Sequence, residues 1–121
     1  MASKKTLVLG ASENPQRYSY LAVQKLLSHA HPVVAIGKQK GKVHGIEIST
    51  EKKTEDGIDT VTLYLNPQNQ KNYYDYILSL NPKRIIFNPG TENSELERMA
   101  KQKGIKTEEA CTLVMLATGQ Y

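Results

Sequence analysis

The residues best placed to contact a ligand follow the first apolar run of the chain, a predicted strand over Thr6–Leu9. They combine a glycine, small and polar side chains and one cation: Gly10, Ala11, Ser12, Asn14 and Arg17. Glycine lets the chain turn sharply and lets a ligand approach the backbone closely. Backbone amides ahead of the next helix can bind a phosphate, and an arginine can contact it through two nitrogens. The pattern predicts either a phosphate-binding loop or an ordinary strand-to-helix turn.

A second candidate set follows the next predicted strand, where Gly37 and Lys38 are succeeded by Lys40 and Lys42. NAD-binding domains usually carry an acid here, which bonds the ribose hydroxyl groups. Opposite unit charges about 4 Å apart attract by about 4 kcal/mol at a surface-like dielectric. Lysine therefore favours a nucleotide that is phosphorylated on its adenosine ribose, and the two common candidates are coenzyme A and NADP. Lys40 and Lys42 also fit a solvated loop.

Two further predicted strands end in turn-forming residues. After the first of them, Leu65 is placed to pack on an adenine face, and Asn66-Pro67 is typical of a helix N-cap followed by proline at the first helical position. After the second, Gly90 would allow a ligand chain to approach closely, and Asn93 is placed to start the following helix.

Candidates for covalent or metal chemistry are few. Cys111 is the only cysteine, and it fits either a small buried hydrophobic residue or a thiol activated near a helix start. A coenzyme A thiol could form a mixed disulfide with it. The three histidines and the acids show no zinc or metalloprotease spacing, and no nucleophile elbow is present, so the sequence predicts no metal site and no complete catalytic set.

The elements that must position these residues alternate between two periodicities. Short apolar runs predict strands, and i, i+3, i+4 patterns predict helices between them. The predicted strands are Thr6–Leu9, Pro32–Ile36, Thr60–Leu65, Arg84–Phe87 and Ile105–Thr107. The predicted helices are Tyr20–His29, one beginning at Pro67 and ended by Asn81-Pro82, one with a Ser94–Glu97 capping box and a Gly104 C-cap, and a short one over Cys111–Ala117. The polar insert between Lys38 and Asp59 has room for a short strand around Ile46–Ile48.

This order predicts an α/β fold, in which a doubly wound, mainly parallel sheet of five strands lies between two helical layers. Such folds bind their ligands at the carboxyl ends of the strands, which is where the candidate residues fall. At 121 residues the chain has the length of one domain, predicted over residues 1–121. Its lone cysteine excludes an internal disulfide, and the absence of a long apolar run or a signal-like start favours a cytoplasmic protein that spans no membrane.

The net charge of +4 is only mildly basic and fits a solvated lysine-rich surface. A cluster of five lysines in one short polar stretch favours an anionic partner, and its members are Lys38, Lys40, Lys42, Lys52 and Lys53. Tyr73, Tyr74 and Tyr76 lie near Lys71, which is one ingredient of a single-stranded nucleic-acid surface. Tyr73, however, falls on the apolar stripe of its helix, and aromatic and basic residues do not interleave along a strand. The sequence therefore favours a small nucleotide over a nucleic acid.

Taken together, these motifs resemble the family of small stand-alone CoA-binding domain proteins, which are similar to the CoA-binding domain of succinate–CoA ligase α subunits. The resemblance runs from about Thr6 to Cys111 and rests on Gly10-Ala11-Ser12, Asn14-Pro15, Ser19-Tyr20, Gly45, Gly90-Thr91-Glu92-Asn93 and Cys111. It implies a Rossmann-like fold with coenzyme A lying across the strand ends. Many relatives have Asn-Pro where this chain has Gly37-Lys38.

The resemblance also implies roles for individual residues. It makes Gly10, Ala11, Ser12, Asn14 and Arg17 the loop on the pyrophosphate side, with Tyr20 included through its motif. Gly37 and Lys38 would lie near the adenosine end, Leu65 and Gly90 would be walls of the cleft, and Asn93 would start the following helix.

We therefore expect a module that binds coenzyme A or an acyl-CoA without catalysis, for sensing or as the CoA-carrying partner of another protein or of a second copy. Two alternatives stay open. One is an NADP-type nucleotide-binding domain of an oxidoreductase assembly. The other is an enzyme that uses Cys111 covalently with the coenzyme A thiol.

Overall fold

A computed structural model describes residues 3–121 and shows one twisted sheet flanked by helices. The strands are β1 (Thr6–Leu9), β2 (Val33–Ile36), β3 (Gly41–Val43), β4 (Ile46–Ser49), β5 (Thr60–Leu63), β6 (Arg84–Phe87) and β7 (Lys106–Glu109). The helices are α1 (Tyr18–Ser28), α2 (Pro67–Gln70), α3 (Tyr74–Ser79), α4 (Ser94–Gln102) and α5 (Thr112–Ala117), and a 3-10 turn over Lys71–Tyr73 joins α2 to α3.

The strand order is β3-β4-β2-β1-β5-β6-β7. Every neighbouring pair is parallel except β3 and β4, which are antiparallel. Because β1 lies at the centre, the chain moves outward on one side through β2 and then returns to the other side of β1 as β5. This is the doubly wound, Rossmann-like arrangement that the sequence predicts.

The sheet has seven strands where the sequence predicts five. The two additional strands form a hairpin inside the polar insert, with His44 and Gly45 at its turn. Both turn residues have positive φ angles, of 48° and 85°, as a two-residue hairpin turn requires. Only Val43 and Ile48 of this hairpin are buried, so its apolar signal in the sequence is weak.

Helices cover both faces of the sheet because successive strand residues point to opposite sides. Leu7 and Leu9 pack in one core with Ile77 of α3 and Leu96 of α4. On the other face, Val8 packs in a second core with residues of α1 and α5, namely Val23, Leu26 and Leu116. The two cores confirm the three-layer architecture.

Three helices differ from their predicted bounds. Helix α1 covers Tyr18–Ser28 where Tyr20–His29 is predicted, the helix predicted from Pro67 to Asn81 is divided into α2, the 3-10 turn and α3, and the cap of α4 lies one residue earlier. Asn66 caps α2 with its side chain, and Pro67 occupies the first turn, as predicted. The predicted capping box that begins at Ser94 is wrong by one residue, because the N-cap of α4 is Asn93. Its Oδ1 accepts the backbone N–H groups of Glu95 and Leu96, at 3.1 and 3.2 Å, and leaves no place for a serine cap. Gly104 follows the end of α4 with φ of 77°, in agreement with its predicted capping role.

His31 couples the stability of the fold to pH. Its Nδ1 accepts the backbone N–H of Lys4 at 2.9 Å, and its pKa is lowered, first by burial and then by the charge of His29. A histidine whose folded pKa lies below about 6.5 stabilises the protein fully above that pH and loses the contribution as the pH falls. We expect the free energy of unfolding in urea to fall by a few tenths of a kcal/mol more between pH 7.5 and 5.5 in the wild type than in His31→Asn, whose Oδ1 takes the place of Nδ1 as the acceptor. Equal slopes in the two proteins would contradict this assignment.

No helix within residues 3–121 is long and apolar enough to cross a membrane.

Candidate functional site

A cleft of about 660 Å³ opens at the carboxyl ends of β1, β2, β5 and β6. It forms here because the chain leaves β1 towards α1 on one face and leaves β5 towards α2 on the other face, so the two loops separate. Of the predicted binding residues, eight line this cleft: Gly10, Ala11, Ser12, Asn14, Arg17, Lys38, Leu65 and Gly90. Four other singled-out residues, Tyr20, Gly37, Asn93 and Cys111, are not among its lining residues.

The loop after β1 is fixed to the neighbouring strand by its first two amides. The N–H groups of Gly10 and Ala11 both donate to the carbonyl oxygen of Ile36, at 2.8 and 2.9 Å. These two amides are therefore occupied within the protein. Further along the loop, Ser12 Oγ accepts the N–H of Asn14 at 3.1 Å, and the carbonyl of Asn14 accepts the N–H of Arg17 at 3.0 Å.

Other amides of the same segment remain available. Within residues 3–121, the N–H groups of Ser12, Glu13, Tyr18 and Ser19 donate no hydrogen bond. All four residues line the cleft, and the last two form the first turn of α1. Free amides at a helix start, with the positive end of the helix dipole behind them, are suited to an anion.

Two glycines allow the backbone segments around the cleft to approach each other. Gly10 has φ of 101°, and a Cβ on it would lie 3.0 Å from the carbonyl carbon of Tyr64. A Cβ on Gly37 would lie only 2.3 Å from the carbonyl oxygen of Ala11. The close approach at these glycines is thus to the protein's own loops, and it brings the ends of β1, β2 and β5 together.

The cleft carries more positive than negative charge. Its lining includes three cationic side chains, Arg17, Lys38 and Lys40, and one carboxylate, Glu13. The carboxylate faces the β3–β4 hairpin, where Glu13 Oε2 accepts the N–H of Lys42 at 2.9 Å. Cations gathered along a cleft attract an anionic ligand and raise its local concentration.

The opposite wall is less polar and comes from the loops after β5 and β6. Leu65 is almost fully buried there, and Gly90 adopts a positive φ of 89°. Burial strongly raises the pKa of Tyr64, and its hydroxyl oxygen has no hydrogen-bond partner within residues 3–121. A neutral phenol and a leucine form a surface suited to a flat or apolar part of a ligand.

The predicted residues outside the cleft have contacts of their own. The ring of Tyr20 lies 5.1 Å from that of His44 at the hairpin turn. Asn93 Nδ2 donates to Gln70 Oε1 and to the Tyr74 hydroxyl, at 2.9 and 2.8 Å. Cys111 is a half-buried free thiol at the N-cap of α5, and its reactivity stays a prediction. Within residues 3–121, no three histidine, cysteine, aspartate or glutamate side chains come together as a metal site would require.

Several lining residues were not assigned to the site from the sequence: Glu13, Tyr18, Ser19, Tyr64, Asn69 and Thr91. Tyr18 and Ser19 carried a usable signal, since they open the first helix after the glycine turn. The position of Glu13 depends on the hairpin packed beside it. The positions of Asn69 and Thr91 depend on how closely the loops after β5 and β6 approach each other.

Comparison with known proteins places the whole molecule among related folds. A family model described as a CoA binding domain matches residues 4–117. The crystal structure of an uncharacterized protein is 54% identical over 100% of both chains, with a TM-score of 0.98. A hypothetical protein from Pyrococcus horikoshii OT3 is 23% identical over 96% of this chain and 83% of its own, with a TM-score of 0.87.

A protein from Thermus thermophilus is 20% identical over 98% of this chain and 91% of its own, with a TM-score of 0.86. At these lower identities, the Pyrococcus and Thermus structures show similarity of fold. No curated protein matches the chain at a significant level.

Proposed function

The chain belongs to the CoA binding domain family, and from this we propose that it binds coenzyme A or an acyl-CoA in the cleft at the carboxyl ends of β1, β2, β5 and β6. We propose further that it does so as a non-catalytic module for binding or sensing. The volume of the cleft, about 660 Å³, falls in the range of about 300–1,000 Å³ that is usual for small-molecule sites.

One observation carries the proposal: the same cleft is lined by amides that donate no hydrogen bond and by cations that form no salt bridge within residues 3–121. Coenzyme A has a diphosphate and a separate phosphate on the 3′ carbon of its ribose. The diphosphate fits the amides of Ser12 and Glu13 and those at the start of α1, with Arg17 beside them. The 3′-phosphate fits Lys38 and Lys40, since each lysine within about 4 Å would attract it by about 4 kcal/mol at a surface-like dielectric.

The remaining wall suits the neutral parts of the same ligand. Leu65 and Tyr64 offer apolar surface for the adenine or the pantetheine chain, and Gly90 presents no side chain on that side. The hydroxyl of Ser12, the one serine in the glycine turn, accepts a backbone N–H of its own loop. These contacts support binding and assign no reacting group.

NADP is the second candidate, because it also carries a phosphate on its adenosine ribose and would meet the same lysines. The two ligands differ at their other ends, which are a nicotinamide nucleotide and a flexible pantetheine. A direct comparison of affinities therefore separates the two functions.

Isothermal titration with coenzyme A, dephospho-coenzyme A, NADP+ and NAD+ tests the proposal. We expect coenzyme A to bind most tightly and dephospho-coenzyme A about 10- to 100-fold more weakly, since one charge-assisted contact contributes about 1.5–3 kcal/mol. Lys38→Ala should weaken coenzyme A by a similar factor and leave dephospho-coenzyme A unchanged. Lys25→Ala, which removes an exposed lysine in the last turn of α1, is the matched control and should change neither affinity.

Each other outcome points to a different conclusion. Tighter binding of NADP+ would support the oxidoreductase alternative. Equal binding of coenzyme A and dephospho-coenzyme A would remove Lys38 from the 3′-phosphate site. No binding of any of the four nucleotides would contradict the proposed function.

A further inference from the structure

A buried carboxamide connects the two loops that form one wall of the cleft. Gln70 is fully buried, and its Nε2 donates to the carbonyl oxygens of Leu65 and Thr91, both at 2.8 Å. Leu65 belongs to the loop after β5 and Thr91 to the loop after β6, and both residues line the cleft. A single side-chain nitrogen thus joins two segments that are 26 residues apart in the chain.

The orientation of this carboxamide follows from the cap of α4. Backbone N–H groups can only donate, so the Asn93 oxygen must be the atom that faces Glu95 and Leu96. The Asn93 nitrogen then faces Gln70 and must donate to its Oε1, at 2.9 Å. With its oxygen held in this way, Gln70 has only its nitrogen to present to the two carbonyl groups. The helix cap therefore determines which atom of Gln70 joins the loops.

We propose that Asn93 and Gln70 are positioning residues that set the separation of the loops after β5 and β6, and through it the affinity for coenzyme A. This inference rests on the proposed function for its effect on binding. Asn93 would act on the ligand through Gln70, since both of its side-chain polar atoms already make hydrogen bonds within the protein. The separation of the loops itself is a property of the unliganded protein and can be measured without a ligand.

Asn93→Asp separates this role from helix capping. Aspartate caps a helix as well as asparagine does, but it has no N–H to donate to Gln70. The carboxamide of Gln70 would then turn its nitrogen towards the new carboxylate and its oxygen towards the carbonyl groups of Leu65 and Thr91. The Gln70 oxygen and the two carbonyl oxygens are all acceptors and repel each other. We therefore expect the two loops to move apart while α4 remains capped.

Tyr74→Phe is the matched control. The Tyr74 hydroxyl is the other partner of Asn93 Nδ2, at 2.8 Å, and its removal leaves the bond between Asn93 and Gln70 in place. Phenylalanine keeps the ring that packs against the core. This variant perturbs the same network to a similar extent and should leave the loops joined.

Hydrogen exchange and binding are measured on the same three proteins, which are the wild type, Asn93→Asp and Tyr74→Phe. In Asn93→Asp we expect amides of residues 64–66 and 90–93 to exchange about tenfold faster than in the wild type, with exchange in β1 and β5 unchanged. Coenzyme A should bind about tenfold more weakly to this variant and within about twofold of the wild type to Tyr74→Phe. Unchanged exchange in these two segments, or equal affinities in Asn93→Asp and Tyr74→Phe, would overturn the inference.

Failure of the proposed function has a different signature. In that case the wild type itself would not bind coenzyme A, and loop exchange alone would decide the inference. If Asn93→Asp does not fold, the side-chain amide protons of Gln70 in the wild type supply the test by NMR. Both protons should be protected from exchange as long as the backbone of α4 is, and rapid exchange of these protons in a folded protein would overturn the inference.

Discussion

Gly37→Ala is expected to destabilise the protein by about 1–3 kcal/mol and to abolish tight binding of coenzyme A, although Gly37 does not line the cleft. A Cβ at this position would lie 2.3 Å from the carbonyl oxygen of Ala11, a backbone atom. The obstacle cannot rotate away as a flexible side chain would, so the loop after β1 must shift as a unit. That loop holds the free amides of Ser12 and Glu13, and its displacement would remove them from their positions around the diphosphate.

Gly57→Ala is the control for the general effect of adding a methyl group to a glycine. Gly57 precedes β5 and lies near the amino ends of the strands, away from the cleft at their carboxyl ends. A Cβ on Gly57 would meet no atom within 4 Å. Its φ of 73° makes alanine unfavourable by about 1–2 kcal/mol, so the two variants should lose similar amounts of stability. Urea unfolding measures the loss in each, and isothermal titration should show that only Gly37→Ala loses affinity. Equal affinities in the two variants would show that the shift at Ala11 is not transmitted to the site.

The case of Gly37 illustrates what the sequence can predict about the site. The strand ends could be located because unbroken apolar runs stop at Gly10, at Gly37 and after Phe87. Since parallel strands end at the same edge of a sheet, most candidate residues could be assigned to one cleft. The reason for glycine at position 37 could not be predicted. A side chain there would collide with the carbonyl oxygen of Ala11 in the loop after β1, and this contact is visible only in the folded structure.

The same limit applies to the amides of the first loop. The spacing of Gly10, Ala11 and Ser12 after a strand indicates a phosphate-binding turn, but the N–H groups of Gly10 and Ala11 are taken by the carbonyl of Ile36. Which amides are free depends on which strand lies beside β1, and this is a property of the topology. The sequence left room for β4 around Ile46–Ile48, but β3 and its pairing with β4 were not predicted, since the few buried residues of β3, such as Val43, face a core built by distant helices.

Two Asn-Pro pairs show the limit most clearly. Asn66-Pro67 follows β5 and Asn88-Pro89 follows β6, and the local sequence does not show which of the two asparagines is buried. In the structure, Asn66 is exposed and its Oδ1 accepts the N–H of Asn69 at 2.9 Å, as an ordinary helix cap. Asn88 is 2% exposed and uses both ends of its carboxamide to join β5 to the start of α5.

Asn88→Asp is therefore expected to destabilise the protein by about 3–5 kcal/mol. Asn88 Nδ2 donates to Thr62 Oγ1 and to the carbonyl oxygen of Leu63, at 2.7 and 2.8 Å, while its Oδ1 accepts the N–H of Thr112 at 2.8 Å. A carboxylate would keep the bond to Thr112 but would face the Leu63 carbonyl as acceptor against acceptor. It would also place a charge in the interior, where none of the hydrogen-bond partners of Asn88 within residues 3–121 is a cation.

The pH dependence of this variant distinguishes a buried charge from a simple loss of packing. Burial raises the pKa of a carboxyl group above its unfolded value, so the protonated form, which can donate to Leu63, stabilises the fold at low pH. The deficit relative to the wild type should grow as the pH rises from about 4 to about 8. Asn66→Asp, measured without ligand, should stay within about 0.5 kcal/mol of the wild type throughout, because aspartate caps as well as asparagine. A deficit in Asn88→Asp that is independent of pH, or one no larger than that of Asn66→Asp, would show that Asn88 does not join the two elements through its N–H groups.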